Sequence, residues 1–189
     1  MTLVAATCTG LADSLGEADW DAPSLCKGWL VRHVVAHVTM PVRLTPATFG
    51  ASLAAAGGDF TVLSDTVALR DAALPIDLLA EQLRSPALHA WEPPGGGAAG
   101  ALTHAVIHSL DITIPLGRPA VAPAAAVTAV LDRLADGTLF GVDLTDTRLE
   151  ATDTGWAWGE GPVVHADSGS LVALLSGRTL PDGRALPRV

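Results

Sequence analysis

The chain has 189 residues, 49% of them hydrophobic and only 16% charged. That balance is too apolar for intrinsic disorder and suffices for one well-packed domain, or one domain with a small appendage. Eleven basic side chains face 20 acidic ones, a formal net charge of −9, which argues against partners held through phosphates; neither nucleic acid nor an anionic membrane surface is expected. The first twenty residues carry Asp13, Glu17 and Asp19 and no basic run, so no secretory leader is expected. No apolar run approaches the ~18 residues of a membrane span. Two cysteines, Cys8 and Cys26, make no disulfide framework and fit a reducing cytoplasm, where each reads as a small buried hydrophobe.

Up to about residue 137 the pattern is helical. Leu3 to Leu15 reads as a first amphipathic helix. Leu30 to Met40 reads as a second, with Leu30, Val31, Val34, Val35 and Val38 at 3/4 spacing and Pro41 ending or kinking it. Residues 45–89 hold two or three helices, one opened by Pro75, a favourable first-turn position. A loop over 91–100 precedes a helix from Ala98 to Ile112, and Ala124 to Ala135 forms another. Beyond Gly137 the character changes. Residues 147–153 and 157–166 favour extended structure, and 168–178 read as a closing helix. The expected architecture is mainly α, a helical bundle over residues 1–137 with a small α+β unit over 138–189.

Histidine spacing carries the chemistry. Two pairs, His33/His37 and His104/His108, fall at i, i+4, where six scattered histidines would give about 0.2 such pairs by chance. Residues four apart share a helix face and can grip one metal ion, and neutral imidazole is a common zinc ligand. Bundles build metal sites from inward side chains on facing helices, so a pair from one helix and a single histidine from another is a natural set. The competing reading is a group of hydrogen-bonded core imidazoles. Two imidazoles among Ala, Leu, Val and Ile without a shared purpose would be costly to bury. There is no HExxH and no CxxC, which removes the common metalloprotease and zinc-ribbon readings.

The segment DWDAPSLCKGWLVRHVVAHV (Asp19 to Val38) resembles the stretch that opens the mycothiol-dependent maleylpyruvate isomerase family, within the wider DinB-like superfamily. ALTHAVIHSLDITIPLG (Ala101 to Gly117) is similar to that family's second ligand-bearing helix, and Leu149 to Arg178 to its small C-terminal domain. The resemblance implies a DinB-like antiparallel four-helix bundle with a divalent metal, most commonly Zn²⁺, held between helices. Carried over by position, the ligands are His37, His104 and His108. His33 stands where the family usually has Asp, and it is either a neighbour of the site carrying protons or a structural surface histidine. His104 stands where Glu is frequent. An imidazole there leaves the site one charge more positive, which favours a bound thiolate or hydroxide.

Three protein ligands leave an open position, the mark of a catalytic rather than a closed site. The resemblance implies mycothiol as co-substrate, coordinated there as a thiolate that attacks a small electrophile. An isomerase or S-transferase results. A non-catalytic metal- and ligand-binding protein and a zinc-water hydrolase are the alternatives. Asp111, one turn after His108, is the candidate to orient a ligand imidazole. Arg178 is the candidate to hold a substrate carboxylate, since arginine suits bidentate recognition. Arg32 and Arg118 are expected on the solvated face, and Cys26 as a spectator rather than a nucleophile.

Overall fold

Polar residues standing one position ahead of apolar runs set where several helices begin. Thr2 accepts a hydrogen bond from the Ala5 amide (3.1 Å) at the head of α1, Leu3–Ser14. Asp59 accepts from the Thr61 and Val62 amides ahead of α5, Phe60–Asp71, and Asp167 from the Ser170 amide ahead of α10, Ser168–Leu175. Each such cap satisfies a backbone N–H that the first helical turn leaves free.

The computed structural model describes residues 1–189. The remaining helices are α2 (Val31–Val38), α3 (Met40–Arg43), α4 (Pro46–Ala55), α6 (Ile76–Leu83), α7 (Pro86–His89), α8 (Gly97–Thr113) and α9 (Ala124–Leu134). Strands β1 (Arg148–Ala151), β2 (Ala157–Trp158) and β3 (Val163–Ala166) form one sheet in the order β2-β1-β3, with β1 antiparallel to β2 and parallel to β3. The main helices lie where their periodicity predicts. The stretch 45–89 differs: it holds four helices rather than two or three, because Pro46 and Pro86 each open a short helix of their own. Likewise the glycine-rich loop gives way to α8 at Gly97, and Pro41 sits in the first turn of α3 after a break at Thr39.

The four-helix frame is α1, α2, α5 and α8, with α2 packed against α5 and α8, and α8 against α1. Four of the eight residues of α2 are valine, whose branched side chain weakens intrinsic helix preference. Tertiary burial offsets this: Val31, Val34 and Val35 are fully buried, in one cluster with Leu11, Leu79 and Ile112. A second cluster joins Val106 and Leu110 of α8 to Leu131 of α9, Leu149 of β1, and Leu171 and Leu174 of α10. Residues after 138 therefore contribute to the core as well as reaching the site. Truncating one of these leucines to Ala would cost about 2–5 kcal/mol. The two clusters meet along α8, the element that carries two of the singled-out histidines. No helix is long and apolar enough to cross a membrane.

Two arginines expected on the solvated face are tied down instead. Arg118 grips Asp19 through two nitrogens (2.8 Å each) and the Ser14 carbonyl (2.7 Å), fastening the end of α8 to the end of α1. Arg32 pairs with Asp21 at 2.8 Å.

Candidate metal centre

Helix α2 delivers His37 from its last turn, and α8 delivers His104 and His108 from one face four residues apart. Their ring centroids lie 4.7–5.0 Å apart, and one nitrogen from each ring falls within 4.8 Å of the others. His37 is buried and the other two are half-buried. Burial pushes His37 down to about 3, with the neighbouring charge of His108 adding to the effect. Burial also drives His104 well below the ordinary range, with His108 and His37 again contributing. His37 and His104 are therefore neutral at pH 7, the form in which imidazole donates to a metal.

Two of the outer nitrogens are occupied. His37 Nδ1 lies 2.9 Å from the Ser64 hydroxyl on α5, and His108 Nδ1 lies 2.8 Å from Asp111 Oδ2. When those nitrogens carry protons donated outward, the Nε2 lone pairs of His37 and His108 are left facing inward. Nε2 of His37 already lies 3.0 Å from Nε2 of His104. A hydroxyl can also reverse its role, so Ser64 supports either tautomer of His37. Three imidazoles with converging inner nitrogens, two of them braced from outside, are a donor set that fits a divalent ion such as Zn²⁺.

Asp111 is the hub of the bracing. It is almost fully buried and receives Arg178 Nε on Oδ1 (2.8 Å), with Arg178 Nη2 (2.9 Å), His108 Nδ1 and the Cys26 thiol (3.1 Å) on Oδ2. Burial alone would raise its pKa. The hydrogen bonds from Arg178 and His108 outweigh it and hold the carboxylate well below its usual range. Burial, then the Asp111 charge, pushes the Cys26 thiol far up, so Cys26 stays protonated and donates. That agrees with a spectator rather than a nucleophile. The backbone joins in, with the Leu25 amide donating to the Asp111 carbonyl at 2.9 Å.

Of the residues singled out by sequence, the structure thus brings together His37, His104, His108, Asp111 and Arg178. It does not bring His33. Its Nδ1 accepts the Leu30 amide (3.0 Å) at the start of α2, and the ring lines neither cavity at the centre. Arg178 reaches the centre, but Asp111 already occupies its fork. The second acid-rich grouping, Cys26 with His108 and Asp111, is held by Arg178 and spent on hydrogen bonds.

Two cavities open on the histidines. The smaller, about 340 Å³, is walled by Trp91, Ile107, Leu139 and Phe140, with Arg133 at its edge. The larger, about 790 Å³, is lined by Trp29, Cys26, Lys27, Thr61, Ser64 and Asp65. Both share His37, His108, Phe60, Phe140 and Arg178. A tryptophan stands against the cluster in each, with Trp29 5.4 Å from His37 and Trp91 5.6 Å from His104 between ring centroids. The wall of the smaller cavity needs Gly100, since a Cβ there would meet Pro93 Cγ at 2.9 Å. Sequence reasoning missed Ser64, both tryptophans and Arg133. Trp29 stood inside the quoted GWLVRHVVAH segment, and the others carried no local signal.

Fold and site together define a DinB-like helical bundle with a three-histidine centre at the junction of two cavities. The description "Mycothiol maleylpyruvate isomerase N-terminal domain" belongs to a family model that matches residues 2–175. The chain belongs to that family. Among solved structures it is similar to a crystal structure of the mycothiol-dependent maleylpyruvate isomerase, at 17% identity and a TM-score of 0.56, covering 99% of this chain and 93% of that one. A histidine-to-alanine mutant of the mycothiol-dependent maleylpyruvate isomerase gives 16% identity and a TM-score of 0.53, with the same coverage. At these identities the likeness is one of fold. No curated protein matches the sequence.

Proposed function

We propose that the protein is a metal-dependent enzyme in which a small thiol, mycothiol, adds to a small electrophile, as an isomerase or an S-transferase. The observation that carries this reading is the convergence of three imidazole nitrogens within 4.8 Å at a place where two separate cavities meet. One cavity for each reaction partner would bring thiol and electrophile together at the same point, and that proximity is itself a large part of catalysis. His37, His104 and His108 would hold the ion. A divalent ion there supplies Lewis acidity, which lowers a thiol pKa from about 8.5 so that the thiolate prevails at neutral pH.

The chain's own groups do the rest. Asp111 and Ser64 fix the ring orientations of His108 and His37, and fixed orientation keeps the donor nitrogens pre-aimed. Arg178 keeps Asp111 ionised, so that Asp111 accepts from His108 rather than competing as a ligand. Phe140 and the two tryptophans give the junction an apolar lining, which strengthens charge interactions inside it. The family to which the chain belongs supports the thiol, and three histidines with no carboxylate support a site that favours an anionic sulfur.

Calorimetry with mycothiol in two buffers of different ionisation enthalpy tests the reading. Release of about one proton per site near pH 7 is expected, because the thiol pKa lies above that pH until it binds. Absence of proton release, or absence of a sulfur-to-metal charge-transfer band after cobalt substitution, would overturn it.

A further inference from the structure

A largely buried ion pair outside the centre lies against the helix that carries His37. Arg43 of α3 places Nε 2.7 Å from Asp71 Oδ2 on α5. The same guanidinium donates from Nη2 to the Ala36 carbonyl (2.6 Å), and from Nη1 to the Thr39 hydroxyl (2.8 Å) and to Gln82 Oε1 on α6. Thr39 is fully buried and donates in turn to the Val35 carbonyl at 2.7 Å. These bonds converge on the end of α2, where the backbone is short of partners. Pro41 has no N–H to offer the His37 carbonyl one turn earlier, so the last turn of α2 cannot close in the regular way. Arg43 braces that turn from the side, at the residue next to His37.

Stability alone does not account for the arrangement, because a buried ion pair contributes little beyond what apolar side chains of the same volume would. Direction is what it adds. Asp71 stands two helical turns after Ser64, on the same face of α5. Ser64 meets the outer nitrogen of His37, while Asp71, through Arg43, holds the carbonyl just before it. One helix thus grips both the ring of His37 and the backbone beside it. Met40 and Pro41, which follow the break at Thr39, line the smaller cavity next to that ring. We infer that Arg43 is a positioning residue of the centre. Clamped by Asp71 and Gln82, and lining neither cavity, it fixes the end of α2 and so the direction in which His37 presents Nε2. The inference rests on the proposed function only in taking His37 as a metal ligand; the orientation of the ring is a property of the metal-free protein.

Two variants test it. Arg43→Lys keeps the charge opposite Asp71, but a single ammonium cannot reach Asp71, Gln82, Thr39 and Ala36 at once. Arg43→Met combined with Asp71→Leu removes both charges and fills their space with apolar side chains, which preserves fold stability without the bonds to α2. A melt verifies the fold of each. Zn²⁺ affinity, read by competition with a chelating dye, should fall about tenfold in both, the lower end for losing support behind a ligand. In the metal-free protein, the ring-nitrogen chemical shifts of His37 should move toward a mixture of tautomers, while those of His108, braced by Asp111, stay in place. Affinity within about twofold of wild type in the folded variants overturns the inference. So do unmoved His37 shifts, or His37 and His108 shifts that change together, the sign of a general loosening. Loss of the fold in both variants overturns it as well, since Arg43 would then be structural. A wild-type protein that binds no Zn²⁺ would remove the metal reading alone, with the His37 shifts still deciding the role of Arg43.

Discussion

Helices α2 and α8 carry histidines at the same spacing and use them differently. On α8 both His104 and His108 turn into the centre; on α2 only His37 does. The difference lies in distance from the helix start. His104 and His108 sit well inside a 17-residue helix, where every nearby backbone N–H already has a partner one turn back. Their ring nitrogens can find partners only among other side chains. His33 sits in the first turn of an eight-residue helix, beside amides that the helix leaves free, and its Nδ1 takes one of them. Spacing places two residues on one face. What each then does depends on which unsatisfied groups lie within its reach.

This comparison can be broken at its strongest point first. His108→Ala should remove most of the bound divalent ion and, with it, about 3 kcal/mol of folding stability, the linkage expected for an ion at about 100 times its Kd. Elemental analysis and a thermal melt read both effects, and full ion occupancy in the variant would sink the assignment of α8 as the ligand helix. Asp111→Asn strips Arg178 of its counter-charge and weakens the orientation of His108. Ion affinity should fall about 10–100-fold, measured by competition with a chelating dye. Ser64→Ala removes the support of a single ring nitrogen on His37 and should cost about tenfold or less in the same assay.

The smallest effect sharpens the comparison from the α2 side. His33→Ala should leave ion content unchanged and cost about 0.5–1 kcal/mol in a melt at pH 8, the range for losing a helix-start acceptor. Burial first, then the Arg32 charge, lowers the His33 pKa in the folded protein. The folded state therefore resists protonation more than the unfolded chain does. This contribution is complete above the ordinary histidine pKa of about 6.5 and is lost as pH falls below it. The gap between wild type and His33→Ala should narrow from pH 8 to pH 5. A gap that widened would mean that His33 serves some other role.

The helices of the frame were legible because burial on one face leaves a 3/4 pattern, as the valines of α2 display. Residues 45–89 were read too coarsely because α4 buries no residue, so its boundaries are written by Pro46 and Thr45 rather than by periodicity. The three histidines and Asp111 were legible from local spacing together with the family resemblance. The Cys26–Asp111 contact spans 85 residues and the Arg178–Asp111 pair 67, and no local pattern encodes such distances. Arg133 was passed over for a related reason. An arginine on a helix surface reads as solvated, and nothing in its local sequence shows that it lines a cavity.

The Asp111–Arg178 pair also bears on the order in which a newly made chain can close. The three histidines and Asp111 have all been synthesised once residue 111 is added, whereas the matching guanidinium follows 67 residues later. At about 5–20 residues per second that interval lasts on the order of several seconds. Throughout it the early helices would have to bury a carboxylate with only an imidazole and a thiol beside it, a charge the apolar interior does not tolerate. The inner end of α8 therefore stays wet until α10 and the residues after it have left the ribosome.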